Sequence, residues 1–123
     1  MKKKSVLIVE DSAFLAESLV DMLALSDYQA IVASDGKTGV HLALTKKPDL
    51  ILLDIRLPDI DGYEVYSRVR KDAWGKKANI VVLTASESIE NISKNIDLPV
   101  ARILFKPEWS MTDLLAKIDS LLK

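Results

Sequence analysis

Five short apolar runs divide the sequence, and they constrain its fold more than any other feature. Each run is three to four residues long, is rich in Val, Ile and Leu, and does not alternate with polar residues. Such runs are typical of strands that are covered on both faces, as in a parallel sheet. The predicted strands are Val6–Val9, Ala30–Ala33, Leu50–Leu53, Ile80–Leu83 and Ile103–Phe105.

The segments between these runs have helical periodicity. Leu15 and Leu19 share one face of the first predicted helix, and Asp61 followed by Glu64 resembles a capping box at the start of the third. Residues 73–78 are predicted to be a polar loop. Five strands that alternate with five helices through short connections predict an α/β fold, a doubly wound five-stranded parallel sheet.

Length and composition limit the classes of function that the chain can have. A chain of 123 residues fits a single domain, residues 1–123. A net charge of -1 gives no basic surface for nucleic acid, and the absence of Cys excludes disulfides and thiolate sites. No apolar string approaches the roughly 18 residues of a membrane span. We therefore expect a cytoplasmic chain with no membrane insertion and no direct nucleic acid binding.

Reactive side chains follow four of the five predicted strands. Glu10 and Asp11 follow the first, Asp54 the third, Thr84 the fourth and Lys106 the fifth. Ligands of open α/β sheets bind beyond the carboxyl ends of the strands, so these residues are expected to lie together. Each residue alone would be an ordinary turn residue or helix cap, and only their combination indicates a site.

Three neighbouring carboxylates repel one another unless a cation lies among them. The ligands are hard oxygens, too few for a closed calcium site, and therefore suit Mg²⁺. A carboxylate beside Mg²⁺ can attack phosphorus and form an aspartyl phosphate. The ammonium of Lys106 and the hydroxyl of Thr84 would then stabilise the negative charge on the oxygens of the transferring phosphoryl group. The cluster thus predicts phosphoryl acceptance.

Other polar residues are interpreted as structural. Asp59 and Asp61 are assigned to loop solvation and helix capping. His41, the only histidine, is interpreted as a solvated residue of the second helix.

The chain resembles the receiver domain of two-component response regulators, essentially from end to end. The motifs are IVED at Ile8–Asp11, LLDIRLPDIDG at Leu52–Gly62, LTAS at Leu83–Ser86 and FKP at Phe105–Pro107. Each is weak alone, but their order and spacing are highly specific. The resemblance implies a flavodoxin-like strand order, 2-1-3-4-5.

The resemblance makes Asp54 the phosphoacceptor and a Mg²⁺ ligand. Asp11 would bind Mg²⁺ directly, Glu10 largely through water, and Arg56 through its backbone carbonyl. The chain would be a regulatory phosphoacceptor rather than a metabolic enzyme. Its donor would be a sensor histidine kinase or a histidine phosphotransfer protein, and it would be a monomer or weak dimer.

The resemblance also implies that Thr84 and Lys106 bind the phosphoryl group, and it allows a cis Lys106–Pro107 peptide. Family members catalyse their own dephosphorylation, with rates influenced by residues placed like Arg56 and Ser86.

The sequence departs from the family at Ile103, where a Tyr or Phe is usual. Residues 99–102 also lack the Gly-Ala and the acidic pair that many DNA-binding regulators use for dimerisation. Signal transmission through Ile103 and the mode of dimerisation are therefore left open.

Three alternatives share parts of this pattern. A haloacid dehalogenase-type phosphohydrolase would need a second Asp two residues after Asp54, where this chain has Arg56. A non-phosphorylated interaction domain is favoured only by Ile103 and opposed by the intact acid cluster. A flavin-binding protein of this fold would need a Ser/Thr/Gly-rich phosphate loop after the first strand, which is missing.

Overall fold

Five parallel strands form one sheet in the computed structural model, which describes residues 3–85, 88–99, 102–105 and 110–123. Their order is β2-β1-β3-β4-β5, which confirms the predicted order. The strands are β1 (Ser5–Val9), β2 (Gln29–Ala33), β3 (Leu50–Asp54), β4 (Ile80–Thr84) and β5 (Ile103–Phe105). Asp54 and Thr84 are therefore the last residues of their strands.

Helices cover both faces of the sheet, as predicted for a doubly wound α/β fold. Among the described residues, none of these helices is long and apolar enough to cross a membrane. They are α1 (Ala13–Leu25), α2 (Gly36–Lys46), α3 (Gly62–Lys71), α4 (Ile89–Asn95) and α5 (Met111–Leu122).

The prediction of a plain loop at residues 73–78 was wrong. A single turn of 3-10 helix, Gly75–Lys77, lies within it. The guanidinium of Arg70 donates hydrogen bonds of 2.8 Å to the carbonyl oxygens of both Gly75 and Ala78, which holds the turn closed. Because these contacts come from the preceding helix, the local composition did not predict the turn.

Two apolar clusters flank the sheet, one on each face. Ile51 and Leu53 of β3 belong to the cluster shared with α2, α3 and α4. Leu50 and Leu52 belong to the opposite cluster, shared with α1 and α5. Both faces of β3 are thus buried, which explains its uninterrupted apolar run.

The run in β2 departs from this pattern. It was predicted to be covered on both faces, but Val32 is 42% exposed. The difference arises because β2 lies at the edge of the sheet, where the helices cover less of the strand.

The predicted capping box at α3 is only half formed. Asp61 accepts a hydrogen bond of 2.9 Å from the backbone N–H of Glu64. The carboxylate of Glu64, however, accepts from Nε of Arg68 at 2.9 Å, one turn further along the helix. A complete capping box occurs instead at α5, between Ser110 and Asp113.

Candidate functional site

Three carboxylates meet where β1 and β3 end. Val9 pairs with Leu53 in the parallel register, which brings the residues after each of them side by side. One carboxylate oxygen from each of Glu10, Asp11 and Asp54 lies within 4.8 Å of the other two. Glu10 is 3% and Asp54 6% exposed, whereas Asp11 faces solvent. The predicted acid cluster is therefore assembled by the fold.

Backbone groups orient the two buried carboxylates. The N–H of Ser12 donates to Oε2 of Glu10 at 3.1 Å, and the N–H of Arg56 donates to Oδ1 of Asp54 at 3.4 Å. Glu10 is itself fixed by its own N–H, which donates to the carbonyl oxygen of Ala33 at 3.0 Å. Like charges this close are stabilised by a cation among them, and an all-oxygen donor set of this size fits Mg²⁺.

Gly62 allows the chain to return close to Asp54. Its N–H donates a hydrogen bond of 2.7 Å to the carbonyl oxygen of Ile55. A Cβ atom at this position would lie 2.5 Å from the carbonyl oxygen of Asp54 and 2.7 Å from Cα of Ile55. Close approach of two backbones therefore requires Gly here. Gly62 lies within the LLDIRLPDIDG motif, but this role was not predicted from the sequence.

Thr84 lies on the strand next to Asp54. Asp54 pairs with Leu83, so Thr84 is one position beyond it along β4, and it is 1% exposed. The hydroxyl residue predicted for the site is thus at the same edge of the sheet as the carboxylates. Lys106, together with Ser86 and the Lys106–Pro107 peptide, lies outside the described residues.

Ile103 fills a core position. It is 2% exposed, pairs with Val82, and belongs to the cluster on the α2, α3 and α4 face. Leu104 packs into the opposite cluster, as strand alternation requires. Phe105 is half-buried and pairs with Thr84.

Asp59 is an exposed loop residue, in agreement with its interpretation as structural, but the identity of the helix that it caps was not predicted. Its carboxylate accepts hydrogen bonds from the N–H groups of Gly36 at 2.7 Å and Lys37 at 2.9 Å, at the start of α2. Desolvation raises the pKa of Asp59, but backbone hydrogen bonds from Lys37, Gly36, Ile60 and Asp59 itself outweigh it and lower the pKa to about 2. Local sequence could not reveal partners that lie more than 20 residues away. His41 is exposed, in agreement with its interpretation.

Solved structures of response regulators and receiver domains have folds similar to this chain. The chemotaxis response regulator CheY4 of Vibrio cholerae superposes with a TM-score of 0.85 at 26% identity, covering 98% of this chain and 100% of that one. A CheY-like response regulator receiver domain protein from Methanospirillum hungatei gives a TM-score of 0.82 at 26% identity, covering 97% and 93%.

Curated relatives extend the likeness to transcriptional regulators. The transcriptional regulatory protein CusR of Escherichia coli is 36% identical over 118 residues, which are 96% of this chain and 51% of CusR. The probable transcriptional regulatory protein SilR of Salmonella typhimurium is also 36% identical, over 96% of this chain and 50% of SilR. The chain spans about half the length of these relatives.

The family model described as the response regulator receiver domain matches residues 6–119. This range includes every strand of the sheet except the first residue of β1, and all three clustered carboxylates. The chain therefore belongs to the response regulator receiver domain family.

Proposed function

We propose that Asp54 accepts a phosphoryl group from a phosphohistidine and that its phosphorylation switches the binding of a partner. The observation that carries this proposal is the meeting of Asp54 with Glu10 and Asp11 within 4.8 Å at the end of the sheet. Receiver domains are the phosphoacceptor switches of two-component systems, and the cluster gives this chain a specific acceptor.

The metal site would consist of Glu10, Asp11 and Asp54 with the backbone carbonyl of Arg56. When bound there, Mg²⁺ would supply positive charge to the phosphoryl oxygens and offset the repulsion among the carboxylates. The buried positions of Glu10 and Asp54 support this assignment, because two buried carboxylates this close need a counter-charge.

The transfer needs no general base. An oxygen of the Asp54 carboxylate attacks phosphorus, an O–P bond forms and the P–N bond to the histidine ring breaks. The ring leaves with the electron pair and takes a proton from solvent. Thr84, at the end of the neighbouring strand, would donate its hydroxyl to a phosphoryl oxygen, and Lys106 would contribute its ammonium.

The chain would act catalytically only on itself. Water would later hydrolyse the aspartyl phosphate and restore the Asp54 carboxylate, so the switch resets. By the family resemblance, the side chains of Arg56 and Ser86 would influence the rate of this hydrolysis. No separate substrate is turned over in this scheme, which makes the chain a regulatory module.

An apolar surface beside the acid cluster would receive the donor. Phe14 is 82% exposed in the first turn of α1, three residues after Asp11. A mostly apolar recess lies along the same helix and is lined by Ala13, Val20 and Val32, among others. We propose that a sensor histidine kinase or histidine phosphotransfer protein packs here while its phosphohistidine reaches Asp54. We propose that this transfer takes place in the cytoplasm.

Intact mass spectrometry tests the proposal. The chain is incubated with Mg²⁺ and either acetyl phosphate or phosphoramidate, beside a known receiver as positive control. We expect the wild type to gain one phosphoryl group, and Asp54→Asn and Mg²⁺-free samples to gain none. Absence of the adduct in the wild type, while the known receiver is modified, would exclude the proposed function.

A further inference from the structure

Asp59 attaches the loop that follows Asp54 to the start of α2 through hydrogen bonds. Its two carboxylate oxygens accept from the N–H groups of Gly36 and Lys37, the first two residues of α2. Asp35 accepts from the third, Thr38, at 2.7 Å. The first three N–H groups of α2 are thus satisfied by two carboxylates that come from separate segments of the chain.

The loop that contains Asp59 and Ile60 packs closely against the start of α2. A Cβ atom at Gly36 would lie 2.5 Å from Cγ1 of Ile60 and 2.8 Å from its carbonyl oxygen. Loop residues 59 and 60 are therefore pressed against the beginning of α2. At its far end the loop is held by the hydrogen bond from Gly62 to Ile55.

Arg56 lies between these attachments, two residues after Asp54 and three before Asp59. Its backbone can move little while both attachments hold, because so short a segment has few conformations that span two fixed ends. With a pKa of about 2, Asp59 stays ionised at neutral pH, so both of its carboxylate oxygens can accept these hydrogen bonds.

We infer that Asp59 is a positioning residue for the Mg²⁺ site: by fastening the loop to α2, it keeps the carbonyl of Arg56 within reach of an ion held by the carboxylate cluster. This inference rests on the proposed function, since it concerns the same site. Asp59 itself would contact neither the ion nor the phosphoryl group.

Mg²⁺ affinity in two matched variants provides the test. Asp59→Ala and Asp35→Ala each remove one carboxylate cap from the same helix, so both should lower the urea midpoint. Only Asp59→Ala also releases the loop. Isothermal titration of Mg²⁺ should show affinity about tenfold weaker for Asp59→Ala. Asp35→Ala should stay close to the wild type. Asp59→Asn, which keeps one acceptor oxygen, should fall between.

The outcomes distinguish failure of the positioning role of Asp59 from failure of the proposed phosphorylation of Asp54. Equal Mg²⁺ affinities in Asp59→Ala and Asp35→Ala, with a wild type that binds Mg²⁺ and is phosphorylated, would overturn the positioning role alone. A wild type that neither binds Mg²⁺ nor is phosphorylated would overturn both proposals. If Asp59→Ala does not fold, the comparison of Asp59→Asn with Asp35→Asn decides the question on the same criterion.

Discussion

Gly62 lies directly against the backbone of Asp54, so that a Cβ atom at position 62 would come within 2.5 Å of the Asp54 carbonyl oxygen. Gly62→Ala must therefore push the two segments apart. We expect a loss of about 1–3 kcal/mol in the free energy of unfolding, measured with urea. Phosphorylation of Asp54 by acetyl phosphate should also slow, because the displaced backbone carries the acceptor.

Gly75→Ala is the matched control for this substitution. Its Cβ would also meet backbone, the carbonyl group of Val69, but at the C-terminal end of α3. It should destabilise the fold without slowing phosphorylation of the remaining folded protein. Equal slowing in both variants would contradict a specific link between Gly62 and Asp54.

Replacing Phe14 should slow phosphorylation by a protein donor but not by a small-molecule donor. Phe14→Ser removes an exposed apolar side chain from the proposed docking surface without altering the core. Transfer from a phosphohistidine protein that phosphorylates the wild type should slow about tenfold. Acetyl phosphate should modify variant and wild type at the same rate, because it needs no docking surface.

Leu25→Ser is the control for Phe14→Ser. Leu25 is 90% exposed on the same helix, at its opposite end. The helical rise of ~1.5 Å per residue separates the two residues by about 16–17 Å. Slowed transfer in both variants, or in neither, would argue against docking at Phe14.

Thr84→Val tests the hydroxyl in the site. Valine has nearly the same shape, so β4 should remain packed, with a loss of stability of about 1–3 kcal/mol for the lost polar contact. Asp54 should still be phosphorylated, while amide NMR shifts on phosphorylation should no longer extend to Ile103 and Phe105 in β5. Unchanged long-range shifts in the variant would show that the Thr84 hydroxyl does not transmit the change.

The hydrogen bond between Tyr28 and Asp119 should stabilise the fold near neutral pH and lose this effect at both high and low pH. Burial and the hydrogen bond to Asp119 raise the pKa of Tyr28, so its contribution is complete below about pH 10 and is lost above it. The hydrogen bond from Tyr28 lowers the pKa of Asp119, so the contribution of Asp119 is complete above about pH 4 and is lost as the pH falls.

Urea unfolding of Tyr28→Phe across this range tests the contact. The difference in stability from the wild type should be about 0.5–1.5 kcal/mol near neutral pH, the usual contribution of one hydrogen bond. It should shrink toward both extremes of pH. A difference that is the same at every pH would show that the contact does not couple to titration.

The sequence predicted the elements that depend on local pattern. The apolar run before Asp54 predicted a buried strand, and the chemistry at the strand ends predicted the meeting of Glu10, Asp11 and Asp54. The roles of Asp59 and Gly62 were not predicted, because their partners are distant in sequence. Only the fold brings Gly36 close to Asp59, and the backbone of Asp54 close to Gly62. A carboxylate in a loop looks the same in sequence whether it meets water or a distant helix.

The site of phosphorylation tests the central claim most directly. After treatment with Mg²⁺ and acetyl phosphate, borohydride reduces an aspartyl phosphate to homoserine, which tandem mass spectrometry locates in the digested chain. We expect homoserine at position 54 alone, and none in Asp54→Asn. Homoserine at another aspartate, or phosphorylated protein with none at position 54, would contradict the assignment of Asp54 as the acceptor.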